Sequence, residues 1–121
     1  MAYVERVGVL APEDIVSYTA LALRADLAPG PGGSRITPLG QGWHVVALYP
    51  SSQLVGHTDP PIPGTRYHVP IQMNDGCWVF SGGEWRQLEV GHTYEMDPTE
   101  VHGAVNWGHT LRLHLMVDVD G

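Results

Sequence analysis

The sequence predicts a mainly β domain built as a small barrel or jelly roll, and three observations carry this prediction. The chain has 121 residues, of which 43% are apolar, and this size suits one compact domain over residues 1–121. From Trp43 onward, short runs rich in Val, Leu, Tyr and Trp alternate with Gly, Pro, Asn and Asp, which is typical of strands joined by turns. The close spacing of these runs favours a barrel or jelly roll.

The residues before this region predict one helix and one loop. The helix extends from Pro12 to about Asp26, where apolar residues recur near helical spacing and Pro12 suits a first turn. We expect it to pack against the strands. The Pro and Gly residues at 29–34 predict a flexible loop that is a candidate lid.

Seven strands and two hairpin turns are predicted after the loop. The turns are Asn74-Asp75-Gly76 and Ser81-Gly82-Gly83, because these residue types favour tight reversals of the chain. The predicted strands are Trp43–Tyr49, Arg66–Gln72, Trp78–Phe80, Glu84–Leu88, His92–Met96, Val101–Val105 and Leu111–Val119.

The composition excludes several classes of function. All six basic residues are Arg and the net charge is −7, which excludes lysine Schiff-base chemistry and argues against a duplex nucleic-acid partner. Cys77 is the only cysteine, so there is no internal disulfide, and it is expected to be a small buried residue. The N-terminus has no long apolar run, so we expect no signal peptide, no membrane span and a cytoplasmic location.

Three residues suggest a metal centre. His57 and Asp59 are two residues apart, and on an extended chain such residues point the same way. His102, just before a predicted strand, is the best candidate for a third ligand. Two histidines and one carboxylate on one face of an ion leave the opposite positions open, which is the arrangement of non-haem iron oxygenases.

Further motifs carry a resemblance to a known family. These are Thr65-Arg66-Tyr67-His68, then His102, then Leu111-Arg112-Leu113 and Val117-Asp118-Val119. Over roughly residues 43 to 119 the chain resembles the aspartyl/asparaginyl β-hydroxylase family of Fe(II)- and 2-oxoglutarate-dependent dioxygenases. The resemblance implies a double-stranded β-helix, a cupin-like jelly roll, and the hydroxylation of an amino-acid side chain, free or in a peptide.

The resemblance also implies roles for individual residues. His57, Asp59 and His102 would bind Fe(II), with O2 as the oxidant and 2-oxoglutarate as co-substrate. Arg66 and His68 would contact the 2-oxoglutarate carboxylate near the iron, and Arg112 would bind the far carboxylate.

One position departs from the family. Val46 aligns with a family serine that hydrogen-bonds the far carboxylate, and a valine side chain has no donor. A donor such as Tyr49 or a water molecule would have to replace it.

Two other classes of function stay open. Residues 91–106, which include Pro98, His102 and Asn106, resemble the second motif of cupins, so the chain could bind a metal or small ligand without turnover. A metal-free β-sandwich interaction module is the third class, but it would not explain Arg66, His68 and Arg112 together. The other histidines are interpreted as surface or packing residues: His44, His92, His109 and His114.

Overall fold

The computed structural model describes residues 3–6, 13, 17, 19, 20, 33–40 and 43–119. Its described part is mainly β, as predicted. The strands are β1 Tyr3–Arg6, β2 Ser34–Gly40, β3 Trp43–Leu48, β4 Ser52–His57, β5 Thr65–Gln72, β6 Cys77–Ser81, β7 Glu84–Arg86, β8 Thr93–Met96, β9 His102–Asn106 and β10 Arg112–Val119.

The strands form two sheets that pack face to face. The larger sheet has the order β1-β8-β5-β10-β3-β2, and the smaller has the order β4-β9-β6-β7. Neighbouring strands in both sheets are antiparallel. One apolar cluster contains residues of both sheets and therefore fills the space between them: Leu48, Val79, Leu88, Tyr94, Met96 and Ala104.

A second apolar cluster lies on the other face of the larger sheet. It contains Val45 and Ala47 of β3 and Leu113 and Leu115 of β10. These residues alternate along their strands with Val46, Arg112 and His114, so the latter three face the smaller sheet. This alternation decides which residues of β10 line the interior between the sheets.

The seven predicted strands are confirmed with ends that shift by at most two residues, but the prediction missed β1, β2 and β4. β2 contains Pro38 and ends at Gly40, and β4 contains Gly56, residue types that weaken a strand pattern. The helix predicted over 12–26 falls almost wholly outside the described residues, and the four residues described there are too few to establish it. Residues 29–32 of the predicted loop also lie outside them, and the single domain over 1–121 stays a prediction.

One of the two predicted hairpins is confirmed. Ser81 pairs with Glu84, and both intervening glycines have positive φ, 58° at Gly82 and 82° at Gly83, as a two-residue type I′ turn requires. The prediction of a hairpin at Asn74-Asp75-Gly76 is wrong. That turn joins β5 of the larger sheet to β6 of the smaller one, since Asn74 caps the turn locally but the flanking strands do not pair.

The described residues include no helix with the length and apolar character needed to cross a bilayer.

Candidate metal centre and its cavity

A register shift in the smaller sheet brings two histidines together. Leu54 pairs with Ala104, whereas His57 pairs with His102, so β4 contains one more residue than β9 between these pairs. Directly opposite residues of an antiparallel pair lie on the same face, and the extra residue therefore turns His57 to the face that carries His102. The two imidazole centroids are 4.4 Å apart.

Asp59 lies in the irregular segment that follows β4. Its backbone N–H donates to the carbonyl oxygen of Pro98 at 2.8 Å, which fixes this segment beside the turn that precedes β9. Asp59 Oδ1 lies 3.8 Å from His57 Nε2, and Oδ2 lies 3.2 Å from His102 Nε2. The position of the loop backbone, and not strand alternation alone, therefore brings the Asp59 carboxylate close to both histidines.

The donor chemistry of this cluster fits a divalent metal ion. One ligand atom from each of His57, Asp59 and His102 lies within 4.8 Å of the other two. His102 Nδ1 is 2.7 Å from the carbonyl oxygen of Glu100, and because a carbonyl only accepts, Nδ1 carries a proton and Nε2 is the ring nitrogen that a metal ion could use. Nε2 lies 3.2 Å from Asp59 Oδ2, so one ion could contact both atoms.

Arg66 connects this cluster to β10. Its Nε and Nη2 donate to the two carboxylate oxygens of Asp118 at 2.7 and 3.0 Å, and its Nη1 lies 3.6 Å from Asp59 Oδ2. The hydrogen bonds from Arg66 lower the pKa of Asp118 below its usual value. Asp118 therefore pairs with Arg66.

The three possible ligands lie at one cavity of about 440 Å³ between the two sheets. The sequence-predicted residues Arg66, His68 and Arg112 line the same cavity, so the structure brings all six of them together. Most of the remaining lining is apolar: Ile36, Val46, Leu54, Pro60, Pro61, Ile62, Met96, Ala104 and Met116.

Arg112, His68 and His114 lie in the buried part of this cavity. Arg112 is 3% exposed, His68 is 7% exposed and His114 is 1% exposed. Burial, and then the charge of Arg112, lowers the pKa of His68 to about 3 and that of His114 well below its ordinary value. Both imidazoles are therefore neutral at pH 7, and Arg112 supplies the positive charge to this end of the cavity.

His114 is a cavity residue that the sequence did not predict. It was interpreted as a surface or packing residue, but it lines the cavity together with Arg112, two residues earlier on β10. The available signal was the alternation of Arg112 and His114 with leucines on a buried strand. Tyr49, the expected substitute donor for Val46, is not among the described residues that line the cavity.

Comparisons with known proteins give a family and a fold. The model of the aspartyl/asparaginyl β-hydroxylase family matches residues 38–120, which include every residue that we assign to the site. No curated protein matches the chain significantly.

Several solved structures share the fold. A Klebsiella pneumoniae protein with a double-stranded β-helix domain has a TM-score of 0.56 and 20% identity, covering 78% of this chain and 84% of that one. TT1209 from Thermus thermophilus has a TM-score of 0.55 and 18% identity, covering 74% of this chain and 87% of that one. The cupin domain of Drosophila melanogaster CENP-C has a TM-score of 0.53 and 11% identity, covering 91% of this chain and 100% of that one. At these identities the likeness indicates a cupin-like double-stranded β-helix fold and nothing about activity.

Proposed function

This chain belongs to the aspartyl/asparaginyl β-hydroxylase family, and from that premise we propose that it is an Fe(II)- and 2-oxoglutarate-dependent dioxygenase. The proposed reaction hydroxylates an unactivated C–H bond of an amino-acid side chain, free or within a peptide. O2 is the second co-substrate. The observation that carries the proposal is the meeting of two imidazoles, one carboxylate and a buried guanidinium at a single cavity.

The three ligands would occupy one side of the ion. His57 and His102 present imidazole nitrogens and Asp59 presents a carboxylate oxygen, which is the donor set that suits ferrous iron with open positions. Bound there with a 2-oxo acid, the ion would supply the oxidising power for C–H hydroxylation. The hydrogen bond between His102 and the Glu100 carbonyl holds the imidazole in the orientation and tautomer that metal binding needs.

The far end of the cavity would hold the dicarboxylate. Arg112 is charged, buried and part of the lining, and a guanidinium binds a carboxylate through two parallel hydrogen bonds. His68, neutral at pH 7, lies on β5 and lines the same cavity, close enough to both Arg112 and His102 to interact with them electrostatically. It could donate one hydrogen bond to the carboxylate nearer the iron.

Arg66 is better placed to position a ligand than to bind the co-substrate. Two of its nitrogens donate to Asp118, and the third lies 3.6 Å from Asp59 Oδ2. This arrangement orients the Asp59 carboxylate and offsets its charge before a metal binds. Apolar side chains form most of the remaining cavity lining, which would reduce the water around a bound substrate.

Turnover tests this function directly. The purified protein is incubated with Fe(II), 2-oxoglutarate, O2 and a panel of free amino acids and peptides. We expect succinate to form and one substrate to gain one oxygen atom by mass spectrometry. Asp59→Ala should form no succinate, whereas Asp75→Ala, which changes an exposed carboxylate outside the cavity, should match the unmodified protein.

The absence of turnover in this assay would have a specific interpretation. If the iron-loaded protein forms no succinate with any member of the panel, the dioxygenase proposal is contradicted. Retained binding of metal without succinate would then favour the cupin-type alternative, a protein that binds a metal or small ligand without turnover.

A further inference from the structure

His114 is a buried histidine with an unsatisfied ring nitrogen. Its side chain is 1% exposed and lines the cavity, yet Nε2 has no hydrogen-bond partner among the described residues. Most buried polar atoms in folded proteins have a partner, because desolvating one without a hydrogen bond costs free energy. A buried nitrogen that borders a cavity is therefore available to hydrogen-bond a ligand that enters the cavity.

The position of His114 identifies the part of the ligand that it faces. His114 and Arg112 are two residues apart on β10, so their side chains lie on the same face of the sheet. Both line the cavity. A ligand group that binds the Arg112 guanidinium would therefore lie near the His114 imidazole.

Val46 explains why a second donor is needed there. Val46 is directly opposite His114 in the register of β3 and β10, and it also lines the cavity. The family resemblance implies a serine hydroxyl for the far carboxylate at this position, and the Val46 side chain has no donor to supply in its place. His114 places a donor on the adjacent strand at the same level of the sheet.

The protonation of His114 suits this task. Burial lowers its pKa, and so do the neighbouring charges of Arg112 and His68, so the ring is neutral at pH 7. A neutral imidazole still has one N–H donor. It can therefore bind a carboxylate without placing a second buried positive charge beside Arg112.

We propose that His114 donates a hydrogen bond to the far carboxylate of the bound 2-oxo acid, beside Arg112, and replaces the hydroxyl that Val46 lacks. This inference rests on the proposed function. It makes His114 a determinant of co-substrate choice, since it favours a 2-oxo dicarboxylate over a 2-oxo monocarboxylate.

Binding measured without turnover tests the inference. The full chain is loaded with Mn(II), and the affinities for 2-oxoglutarate and for 2-oxopentanoate, which lacks the far carboxylate, are measured by calorimetry. We expect His114→Leu to weaken 2-oxoglutarate binding by about 10- to 100-fold, the usual effect of losing a hydrogen bond to a charged group. Binding of 2-oxopentanoate should change little.

Two further variants serve as controls. His114→Gln retains an N–H donor and should keep most of the affinity for 2-oxoglutarate. His109→Leu changes an exposed histidine in the segment before β10 and should leave both affinities unchanged.

The outcomes separate this inference from the proposed function. Equal losses for the two ligands, or no loss for either, would overturn the role of His114 while leaving the dioxygenase proposal standing. If the unmodified protein binds neither ligand, the proposed function fails and the inference fails with it.

A measurement on the unmodified protein covers the case in which His114→Leu does not fold. In nitrogen-15 spectra of the histidine side chains, 2-oxoglutarate should shift the His114 imidazole N–H and slow its exchange with water, whereas 2-oxopentanoate should not. An N–H signal that responds identically to both ligands would overturn the inference.

Discussion

Asp59 is the residue on which the proposed metal centre depends most directly. Each of its carboxylate oxygens faces a different imidazole, at 3.8 Å for His57 and 3.2 Å for His102. The side chain is 37% exposed, so its removal leaves no buried cavity and the fold should survive. What is lost is the one charged ligand of the three, which attracts a divalent ion to the site.

We therefore expect Asp59→Ala to weaken the affinity for Mn(II) at least about tenfold with little change in the free energy of unfolding. Calorimetric titration gives the affinity, and urea unfolding gives the stability. Asp75→Ala is the matched control. An Asp59→Ala protein that binds Mn(II) as tightly as the unmodified chain would place the metal elsewhere.

The residues of the candidate site differ in how well the sequence predicts their roles. His57, Asp59 and His102 could be singled out because their residue types and spacing suit a metal, and Arg112 because a cation on an apolar strand needs an anion. His114 could not be distinguished from a packing residue. Its role depends on the pairing of β10 with β3 opposite Val46, and that pairing has no signature in the sequence of β10 itself.

At the scale of elements, Asn106 joins three parts of the chain. It is fully buried at the end of β9. Its Nδ2 donates to the carbonyl oxygens of Leu48 and Thr110 at 2.8 and 2.9 Å, and its Oδ1 accepts from Asn74 at 3.1 Å. Asn106, part of the cupin-like sequence motif, therefore has a structural role.

Replacing Asn106 by Leu should cost about 2 to 3 kcal/mol of stability, because several buried backbone and amide groups lose their partner. Urea unfolding measures the loss. Gln53→Leu, on the exposed side of β4, is the control and should change the stability little. If the Asn106→Leu protein has the same free energy of unfolding as the unmodified protein, water replaces the hydrogen bonds of Asn106 without a loss of stability.

The turn between β6 and β7 leads to a second prediction about stability. A Cβ on Gly83 would have no heavy atom within 4 Å, so only its φ of 82° penalises a side chain. We expect Gly83→Ala to destabilise the protein by about 1 kcal/mol. Gly82→Asn should be neutral or stabilising, since Asn-Gly is the favoured type I′ pair.

Thermal unfolding of the two variants tests whether this is a type I′ turn. If Gly82→Asn and Gly83→Ala destabilise the protein equally, the assignment of a type I′ turn is contradicted.

The elements were predictable to different degrees. Strands of Val, Leu and aromatic residues bounded by turn residues were found to within two residues, because composition and boundaries agree there. β4 was missed because Gly56 interrupts its pattern and the register shift breaks its alternation. The hairpin at Asn74 was wrongly predicted because a local turn signal does not reveal whether the strands on either side enter the same sheet.

At the scale of the whole molecule, the buried histidines couple stability to pH. The pKa of His68 is lowered to about 3 and that of His114 is lowered well below 6.5. Between these values and about 6.5 the unfolded chain binds more protons than the folded one, so acid favours unfolding. Above about pH 6.5 neither histidine contributes a pH dependence.

The free energy of unfolding should therefore fall as the pH is lowered from about 6.5 toward 4, with each histidine contributing at most about 1.4 kcal/mol per pH unit. Urea unfolding at several pH values measures this slope. His114→Leu removes one of the two groups and should show a shallower slope. A stability that is constant from pH 7 to pH 5 would contradict the burial of neutral histidines in the cavity.

The proposed active site would hold a ferrous ion and a 2-oxo acid together in one cavity, and anaerobic absorption spectroscopy is the most stringent test of this proposal. When Fe(II) and then 2-oxoglutarate are added without oxygen, we expect a weak visible charge-transfer band that saturates at one equivalent of each. The band should be absent from Asp59→Ala and present in Asp75→Ala. The absence of this band from a fully loaded, folded protein would show that the cavity does not bind Fe(II) and 2-oxoglutarate together.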